Sequence, residues 1–449
     1  MRDYELEVPI EKSNDAIVKD DKKCISCGYC QKVCKNDITV AKMYEYNPQR
    51  RPICIGCGQC ANICPTESIH ERFHYFKVRN LLHHKNNKII IFSIAPAVRV
   101  TIGEEFGYAP GTNLEGKIVS ALRKIGADYV FDITFGADLT IMEEAMELVN
   151  RIKNKECLPQ FTSCCPAWVK YCEIFYPELL PNLSTAKSPI AMQSTIVKTY
   201  FAGKIKVSPK DIVHIVIAPC TAKKAEINRA ELNYTAKDTD YVLTTRELAM
   251  LLKKENISFK TLRTSKFDSP LATGSTAGVI FGSSGGVCEA AIRTAYYFIT
   301  NKNLSKKKLV FTKVRGMLGI KETSINVDTH EIKVAVCNGM KNAHELIEKL
   351  LNKEVYYDFI EVMNCQGGCI AGGGGPKMSL LEMNNIKQDR MNGLYTIDEE
   401  KELRLCHKNP EIISLYKEFL GTPNSKLATE LLHTRYFDRS HLLRGNKNG

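Results

Sequence analysis

The segment CISCGYCQKVC, residues 24–34, recurs as CIGCGQCANIC, residues 54–64. Both copies space their cysteines as C-x2-C-x2-C-x3-C. Three thiolates at this spacing can bind three corners of one 4Fe-4S cubane, and the fourth cysteine can reach the cubane of the other copy. Gly28 and Gly58 give each loop the backbone freedom to wrap a cluster. The repeat therefore predicts a small N-terminal domain, residues 1–80, that holds two clusters.

The same spacing divides the eight cysteines into two ligand sets. The first set is Cys24, Cys27, Cys30 and Cys64, and the second set is Cys54, Cys57, Cys60 and Cys34. Pro65 follows the second copy as usual, whereas Lys35 stands where the first copy would have its proline. Two zinc sites are the alternative, but zinc sites seldom use so many closely spaced cysteines twice in succession. Two adjacent clusters predict a route for electrons to another part of the chain.

Length and composition place the chain among ordinary globular proteins. It has 449 residues, of which 44% are hydrophobic and 25% charged, and this length predicts two to four domains. The longest apolar run, residues 89–98, is too short to span a bilayer, and the N-terminus lacks the apolar core of a signal peptide. We therefore expect a cytoplasmic protein with no membrane association. In a reducing cytosol, the 18 cysteines favour metal ligation over disulfides.

The net charge of +12 is the second unusual feature. Lysine and arginine are scattered, without the aromatic interleaving of a nucleic-acid module, so an acidic protein is at least as plausible a partner as nucleic acid. We expect no nucleic-acid partner. Three bound 4Fe-4S clusters with four thiolates each would reduce the charge to about +6.

Short β-branched runs alternate with amphipathic stretches from residue 89 to about residue 375. The predicted strands are residues 89–94, 129–133, 212–217, 241–244, 333–337 and 357–363, and the predicted helices are 116–125, 139–152, 246–254 and 343–352. This alternation predicts an α/β domain with mostly parallel sheets over residues 88–385. A basic, histidine-containing stretch before it predicts a linker at 77–88. Residues 395–449 are polar and predict a helical appendage, including NSKLATELLHTRYF.

Further cysteines lie in three segments at predicted strand ends, namely TSCCPAW (162–168), APCTAKKAE (218–226) and EVMNCQGGCIAGGGGP (361–376). Open α/β sheets expose their reacting groups at such ends. Glycines at 367, 368 and 372–375 are expected to let the backbone approach an inorganic core. No nucleotide-binding glycine pattern is present. The segments together predict a third thiolate-bound cluster.

At these residues the sequence resembles the iron-only (FeFe) hydrogenases, whose motifs are TSCCPxW, xPCxxKxxE and ExMxCxxGCxxGGGxP. The segment LLHTRY, residues 431–436, resembles the family's small subunit. The resemblance covers nearly the whole chain. It implies an α+β bacterial-type ferredoxin domain, an α/β catalytic domain of two lobes with helix-flanked sheets, and a helical small-subunit-like segment. The implied activity is the reversible interconversion of H2 with two protons and two electrons.

The resemblance also implies the cofactors and their ligands. A third 4Fe-4S cluster would be held by Cys165, Cys220, Cys365 and Cys369. Cys369 would bridge it to a two-iron subsite that carries CO, CN and azadithiolate ligands and is delivered by dedicated maturation proteins. An acidic carrier such as ferredoxin would exchange electrons. Residues expected around the cofactor are Pro96, Ala97, Ala218, Pro219, Gly372 and Gly373.

Catalytic roles are implied residue by residue. Cys164 matches the thiol that exchanges protons with the azadithiolate, Lys223 matches the lysine that pairs with a cyanide, and Met363 matches a methionine that packs against the two-iron subsite. A proton needs closely spaced carriers to move through a protein. The residues that align with the family's relay to this thiol are Glu144, Ser184 and Glu147, with Arg151 nearby.

The chain departs from the usual family pattern at four neighbouring positions. Ala218, Ala97, Ile190 and Gly375 stand where methionine, serine, glutamine and glutamine are frequent. Such changes are expected to alter redox potential and reactivity rather than ligation. The remaining thiols, expected to pack in the core, are Cys157, Cys172, Cys288, Cys337 and Cys406. Cys288 is also a candidate to approach the site, and His433 is expected to make a structural hydrogen bond.

Two other function classes stay open. One is an iron-sulfur assembly or scaffold protein of the hydrogenase-like family, which would bind cubanes without a two-iron subsite. Cys164, Lys223 and the pair of glutamates argue against a scaffold, which needs no proton relay. The other class is an H2 sensor, for which a signalling domain and often loss of the proton-transfer cysteine are expected.

Overall fold

The structure is a computed structural model and describes residues 6–47, 50–328 and 330–444. Residues 1–5 and 445–449, at the outer ends of the predicted first and last domains, lie outside the described residues. Three parts follow one another along the chain: a small α+β region, a large α/β core with two sheets, and a mainly helical C-terminal segment. The predicted fold class is confirmed.

The strands are β1 Ile17–Lys19, β2 Ile69–Glu71, β3 Ile89–Ile94, β4 Tyr129–Asp132, β5 Gln160–Phe161, β6 Ile212–Ile217, β7 Tyr241–Leu243, β8 Ile320–Val327, β9 His330–Asn338 and β10 Phe359–Met363. The helices are α1 Tyr29–Asn36, α2 Val40–Met43, α3 Gln59–Ile63, α4 Tyr75–His83, α5 Val98–Thr101, α6 Glu115–Lys124, α7 Ile133–Asn154, α8 Pro166–Phe175, α9 Pro189–Ile196, α10 Ala202–Lys204, α11 Ala222–Glu226, α12 Thr245–Lys254, α13 Thr276–Ile280, α14 Gly286–Thr300, α15 Met340–Leu351, α16 Met383–Glu400, α17 Pro410–Leu415 and α18 Lys426–Leu432. Short 3-10 and π turns join several of them.

The N-terminal region is built around the two cysteine loops. Strands β1 and β2 form an antiparallel pair in which Val18 lies opposite His70. Helices α1 and α3 begin directly after Gly28 and Gly58, which have left-handed φ values of 79° and 71°. L-residues with side chains avoid this conformation, so the two glycines let each cysteine loop turn into a helix at the same point of the repeat.

The predicted linker at residues 77–88 is wrong. Most of it is helix α4, which buries Tyr75 and Val78 against the core of the first sheet. These two residues are three apart and so lie on one face of the helix. The histidines and lysines that suggested a linker occupy the other faces, and only residues 84–88 connect α4 to β3.

The large core contains two four-stranded sheets, one in each lobe. The first has the order β4-β3-β6-β7 and is entirely parallel. The second has the order β5-β10-β9-β8, with β8 antiparallel at its edge. All six predicted strands and all four predicted helices are present; β3 and β6 have the predicted ends, and the others have shifted ends. Strand β8 was not predicted because its residues are mostly polar and only Lys321 and Val327 among them are buried.

The site lies where strands of both sheets end. Strands β5, β6 and β10 run into the three cysteine motifs at Thr162, Ala218 and Asn364, and β3 runs into the segment that begins at Ala95. Helix α7 lies across this region and is buried over most of its 22 residues. The carboxyl ends of parallel strands therefore bring the three cysteine motifs together from distant parts of the chain.

The C-terminal segment begins with α16, so the predicted start at residue 395 falls inside a helix. Asp398 on this helix anchors it to the core by accepting hydrogen bonds from Arg404, Arg315 and Thr276. The predicted helix through LLHTRYF is also wrong after residue 432. There the chain is extended, because His433 pairs with Ala186 in an antiparallel bridge. Within the described ranges, the structure contains no helix both long and apolar enough to cross a bilayer.

Arg246 on α12 ties the N-terminal region to the large core. Its guanidinium donates to Glu71 at 2.7 Å and to Asn62 at 2.6 Å, both in the N-terminal region. It also donates to the carbonyl oxygens of Gly373 and Gly375, at 2.7 and 2.6 Å. Arg246 and Glu71 are both buried.

We expect Arg246→Leu to lower the free energy of unfolding by about 3–5 kcal/mol, because it leaves Glu71 buried without its cation. Urea unfolding followed by fluorescence of the single tryptophan, Trp168, measures this loss. The matched control is Arg79→Leu, which removes an ion pair to Glu255 between the same two parts of the chain at an exposed position. Its expected cost is about 0–1 kcal/mol. Equal costs for the two variants would contradict the role given to Arg246.

The contact between Arg246 and Glu71 also makes the free energy of unfolding depend on pH. Burial alone would raise the pKa of Glu71, but Arg246 outweighs it, and the pKa lies below its ordinary value of 4.5. A depressed carboxyl pKa stabilises the fold above the unfolded-state value, and this contribution is lost as the pH falls through the folded-state value. We therefore expect the difference in stability between the wild type and Arg246→Leu to shrink below about pH 4.5.

Candidate functional site

A cavity of about 80 Å³ lies between the two lobes at the strand ends. Its walls are mostly apolar and come from seven separate segments of the chain. The predicted residues that line it are Pro96, Ala97, Cys164, Cys165, Ala218, Pro219, Cys220, Lys223, Met363, Cys365, Cys369 and Gly372. Gly373 is the one predicted cofactor-contacting residue outside it. A side chain there would instead meet the carbonyl oxygen of Cys57.

The four cysteines predicted to hold the third cluster meet at this cavity. Cys165 caps the N-terminus of α8, and Cys369 opens a short 3-10 turn after Gly368. Burial and the neighbouring thiols raise the pKa of Cys220 to about 12 and that of Cys365 to about 11. Bare thiolates are therefore unfavourable here, and a bound metal core would compensate their charge. The donor set fits a thiolate-bound iron-sulfur cluster.

The glycines of the third motif also allow close packing within the protein. A Cβ on Gly372 would lie 2.1 Å from the carbonyl oxygen of Pro219, and one on Gly368 would lie 2.6 Å from the amide nitrogen of Ser284. A Cβ on Gly374 would lie 2.5 Å from the Thr244 side chain. These glycines therefore let protein segments pack closely against each other, which brings Cys369 beside the second motif.

Cys164 and Lys223 lie side by side on the cavity wall. Burial, and next the charge of Glu144, raise the pKa of Cys164 well above its ordinary value, so the thiol keeps its proton. Lys223 donates to the carbonyl oxygen of Cys164 at 3.1 Å and pairs with Glu226 at 2.7 Å. Burial alone would lower the pKa of Lys223, but Glu226 outweighs it and keeps the ammonium charged. The cavity thus contains one proton donor and one fixed cation.

Behind Cys164, the predicted relay residues lie close together and are mostly buried, and both carboxyl oxygens of Glu144 are free of hydrogen bonds within the described structure. Burial, together with the charge of Glu147, raises the pKa of Glu144 to about 8. Ser184 donates to Glu147 at 2.7 Å, and Arg151 donates to the same carboxylate at 2.7 Å. The Arg151 side chain is about one-tenth exposed. The structure therefore brings all four residues together between the cavity and the surface.

Sequence reasoning missed several residues that contact this site. Glu361, the first residue of the third motif, is buried and accepts from the backbone amides of Gly285 and Cys288. Gln59 lies inside the second cysteine loop and donates to Cys365 Sγ at 3.1 Å. Both Glu361 and Gln59 lie inside the cysteine motifs, and this position could have marked them as candidates. Thr185, whose hydroxyl oxygen lies 3.1 Å from Glu147 Oε1, follows Ser184 directly but carried no signal of its own.

The eight N-terminal cysteines gather as two groups. Those predicted as the first set, Cys24, Cys27, Cys30 and Cys64, line a small cavity together. In the second set, burial and the charges of the other three members raise the pKa of Cys60 well above its ordinary value. In the described ranges, no three His, Cys, Asp or Glu side chains surround a single-ion position. A cubane, by contrast, distributes its four thiolates over separate iron atoms.

The predictions for the five cysteines outside the motifs are confirmed for four of them and wrong for one. Cys172, Cys288, Cys337 and Cys406 are buried, as expected, but Cys157 is exposed. Cys288 packs in the core beside the site without lining the cavity.

Three of the four positions that depart from the family pattern, Ala97, Ile190 and Ala218, line the cavity. The fourth, Gly375, does not. Its carbonyl oxygen accepts from Arg246 at the junction with the N-terminal region.

Comparison with known families agrees with this geometry. The family described as "Iron only hydrogenase large subunit, C-terminal domain" matches residues 88–373. The chain belongs to the iron-only hydrogenase family. Residues 384–439 match "Iron hydrogenase small subunit", and residues 23–69 match "4Fe-4S dicluster domain". The chain is thus an oxidoreductase of the hydrogenase type with iron-sulfur cofactors.

Individual relatives cover most of the chain. Iron hydrogenase 1 of Clostridium pasteurianum is 39% identical over 443 residues, which are 95% of this chain and 77% of that protein. The periplasmic [Fe] hydrogenase large subunit of Nitratidesulfovibrio vulgaris is 42% identical over 84% of this chain and 91% of its own length. A variant of the [FeFe]-hydrogenase HydA1 from Chlamydomonas reinhardtii superposes with a TM-score of 0.73 and 39% identity, over 82% of this chain and 99% of that one.

More distant similarity extends to the scaffold class. Cytosolic iron-sulfur assembly component 3 of Mus musculus is 29% identical over 361 residues, which are 78% of this chain and 74% of that protein. The hydrogenases are about ten percentage points more similar over equal or longer stretches. The hydrogenase-type function is therefore the better supported of the two.

Proposed function

We propose that the chain reversibly interconverts H2 with two protons and two electrons, and that Cys165, Cys220, Cys365 and Cys369 hold a cubane joined to a two-iron group with CO, CN and azadithiolate ligands. When bound, this group supplies the site where two protons and two electrons combine. The observation that carries the proposal is the buried cavity at which these four cysteines meet a proton-bearing thiol and a fixed cation.

Protons reach the cavity through the predicted relay residues behind Cys164. They enter beside Arg151, pass from Glu147 through the Ser184 hydroxyl to Glu144, and arrive at Cys164. The hydrogen bonds of 2.7 Å around Glu147 hold the outer carriers in register. At neutral pH, Glu144 carries a proton because its pKa is about 8. A neutral acid next to a neutral thiol can pass a proton inward without creating a buried charge.

Electrons take a separate route through the N-terminal region. The first cysteine set lies at the surface, where Cys27 and Ile25 are exposed. The second set lies between it and the cavity, and Cys57 is near enough to Cys365 for their charges to interact. Gln59 joins the two sides, since its amide nitrogen donates to Cys365 Sγ and to the carbonyl oxygen of Ala371. Two N-terminal clusters and the one at the cavity make three 4Fe-4S clusters.

We expect Gln59→Leu to lower the reduction potential of the cubane at Cys365. A hydrogen bond to a thiolate ligand stabilises the more negative, reduced cluster. A difference of about 1 kcal/mol between the two oxidation states corresponds to about 40 mV for one electron. Redox titration followed by electron paramagnetic resonance measures the potential. Asn62→Leu is the control, since Asn62 donates to the carbonyl oxygen of Gly372 at the same interface, and an equal shift there would contradict the assignment.

The electron carrier is proposed to be an acidic protein such as ferredoxin. Lys22, Lys23 and Lys35 are exposed around the first cysteine set, and the chain carries a net charge of +12. Association steered by opposite charges slows as salt screens them. Turnover with ferredoxin should therefore fall with increasing ionic strength, whereas turnover with a small viologen should change less. No difference between the two carriers would rule out this steering.

The decisive test is infrared spectroscopy of protein matured anaerobically with the dedicated maturation proteins, combined with H2 evolution from reduced viologen. CO and CN stretching bands together with turnover are the expected result. Cubanes without these bands after competent maturation would favour the scaffold class. Bands with negligible turnover would favour a sensor.

A cytoplasmic location is part of the same proposal, because cysteine-rich cluster motifs suit a reducing compartment. Cell fractionation tests it.

A further inference from the structure

His433, in the extended stretch after α18, reaches the proton relay from the C-terminal segment. Its Nδ1 lies 2.7 Å from the Thr185 hydroxyl oxygen. The same hydroxyl lies 3.1 Å from Glu147 Oε1, within donating distance. On the other side of the ring, Nε2 lies 2.9 Å from Glu143 Oε2. One partly buried line of contacts therefore joins Glu147, Thr185, His433 and Glu143.

The hydrogens available to Thr185 and His433 allow two forms of this line of contacts. The Thr185 hydroxyl has one hydrogen, so it donates either to Glu147 or to His433 Nδ1. A neutral imidazole that donates from Nε2 to the Glu143 carboxylate has an unprotonated Nδ1, which accepts from Thr185. If Thr185 donates to Glu147 instead, Nδ1 must carry a hydrogen, and the contact between Nε2 and Glu143 then needs a hydrogen too. The second form thus holds one more proton on His433 and Glu143 together.

We propose that His433 and Glu143 form a proton-dependent control of the relay, in which one added proton turns the Thr185 hydroxyl from His433 to Glu147. The inference rests on the proposed function, because it assigns Glu147 to proton transfer. The added proton comes from solvent, and the hydroxyl only rotates, so the step moves no other proton. His433 is a positioning residue that acts on Glu147 through Thr185.

Of the pair formed by His433 and Glu143, His433 is the residue that takes up the added proton, because Glu143 is held by other donors. Glu143 also accepts from the Tyr416 hydroxyl and from the backbone amide of Asn424 at 2.8 Å. These donors, together with His433, come from the C-terminal segment, while Glu143 lies on α7. Glu147, which faces Thr185 from α7, carries Arg151 as its ionic partner.

One further charged side chain comes from the segment that pairs with His433. Lys187 directs its ammonium to the carbonyl oxygen of Leu431 at 2.7 Å. It is therefore engaged with the backbone of the C-terminal segment.

The control has a defined direction. A hydrogen bond from Thr185 favours the ionised form of Glu147. During H2 oxidation, protons leave the cavity, so Glu147 must be ionised to accept them from Ser184. A lower pH of the medium favours protonation of Glu147, and the added hydrogen bond from Thr185 favours its ionised form instead. The control should therefore extend H2 oxidation to lower pH.

The first test compares the pH profiles of H2 oxidation, with oxidised viologen as acceptor, for the wild type, His433→Gln and Thr185→Val. Glutamine can still hydrogen-bond to both neighbours but cannot gain a proton, so a purely structural role would leave its profile unchanged. We expect both variants to match the wild type in alkaline buffer and to be about tenfold slower in acidic buffer, the effect of one hydrogen bond to an ionised group. His407→Gln removes another buried histidine, bonded to Asn303 away from the relay, and should retain the wild-type profile.

The second test uses protein that holds only its cubanes. Infrared difference spectra between acidic and alkaline buffer should show the Glu147 carboxylate band shifting, with the band assigned by Glu147→Gln. The shift should vanish in His433→Gln and in Thr185→Val. A shift that persists in both variants would overturn the inference. This readout needs no H2 turnover, so loss of the coupling and failure of the proposed function remain distinguishable.

Discussion

Replacing Cys164 by alanine should lower H2 evolution about 10²–10⁴-fold, the usual contribution of a positioned proton donor. The thiol lies on the cavity wall and keeps its proton at every ordinary pH, because burial and the charge of Glu144 hold its pKa well above the usual value. The same charge interaction shows that Cys164 lies near Glu144 of the predicted relay. Activity with reduced viologen, measured beside the CO and CN infrared bands, separates loss of proton transfer from loss of the cofactor.

The control for this variant is Cys288→Ala. Cys288 is fully buried, whereas Cys164 is partly buried; both pack in the same hydrophobic cluster, but Cys288 does not line the cavity. It should retain most of the activity. If Cys164→Ala kept normal turnover with an intact infrared spectrum, protons would have to reach the cavity by another route.

The second large effect is expected for Glu144→Gln. The wild-type carboxyl is protonated below about pH 8, where it can donate to Cys164, and ionised above this value. Hydrogen evolution by the wild type should therefore fall as the pH rises through about 8. A glutamine cannot transfer a proton, so this variant should lose about 10²–10³-fold of the rate. It should also lack the alkaline fall.

A stability measurement distinguishes this account from simple damage to the fold. Because burial raises the pKa of Glu144 above its ordinary value of 4.5, the folded state favours the protonated form. Its contribution to stability is present in acid and is lost as the pH rises from about 4.5 through about 8. The glutamine variant should not show this loss.

Asp138→Asn, on the same buried helix but bonded to Ser275 and Asn409, is the control for turnover. A comparable loss of turnover in both variants would argue against a specific role for Glu144.

Most of the architecture could be predicted from local sequence. The cysteine repeat indicated its domain because each copy is a complete short-range unit, and strands such as β3 and β6 are unbroken β-branched runs. The errors arose where composition and burial disagree. Helix α4 looked like a linker because it lies in a basic, histidine-containing stretch and buries only two residues, Tyr75 and Val78. Strand β8 is a polar edge strand, and nothing local distinguishes it from a loop.

The site shows the same division. The identities of the cysteines and of Glu144, Glu147 and Lys223 were available from motifs, but their contacts were not. Gly373 and Gly375 belong to the third motif, yet their carbonyl oxygens serve the junction at Arg246 rather than the cavity. A motif specifies residue types and spacing. The direction in which each residue's polar groups point depends on what packs against that residue.

The sequence by itself therefore determined which chemistry this protein can host: three sets of thiols, a relay of acids and an α/β core whose strand ends bring the motifs together. Only the tertiary structure decided how these parts connect. Gln59 reaches Cys365 across 306 residues of chain, and His433 reaches Thr185 across 248. The physical reason is that hydrogen bonds act over about 3 Å, while the sequence records only order along the chain. Contacts between distant segments exist only once the lobes and the C-terminal segment have packed together.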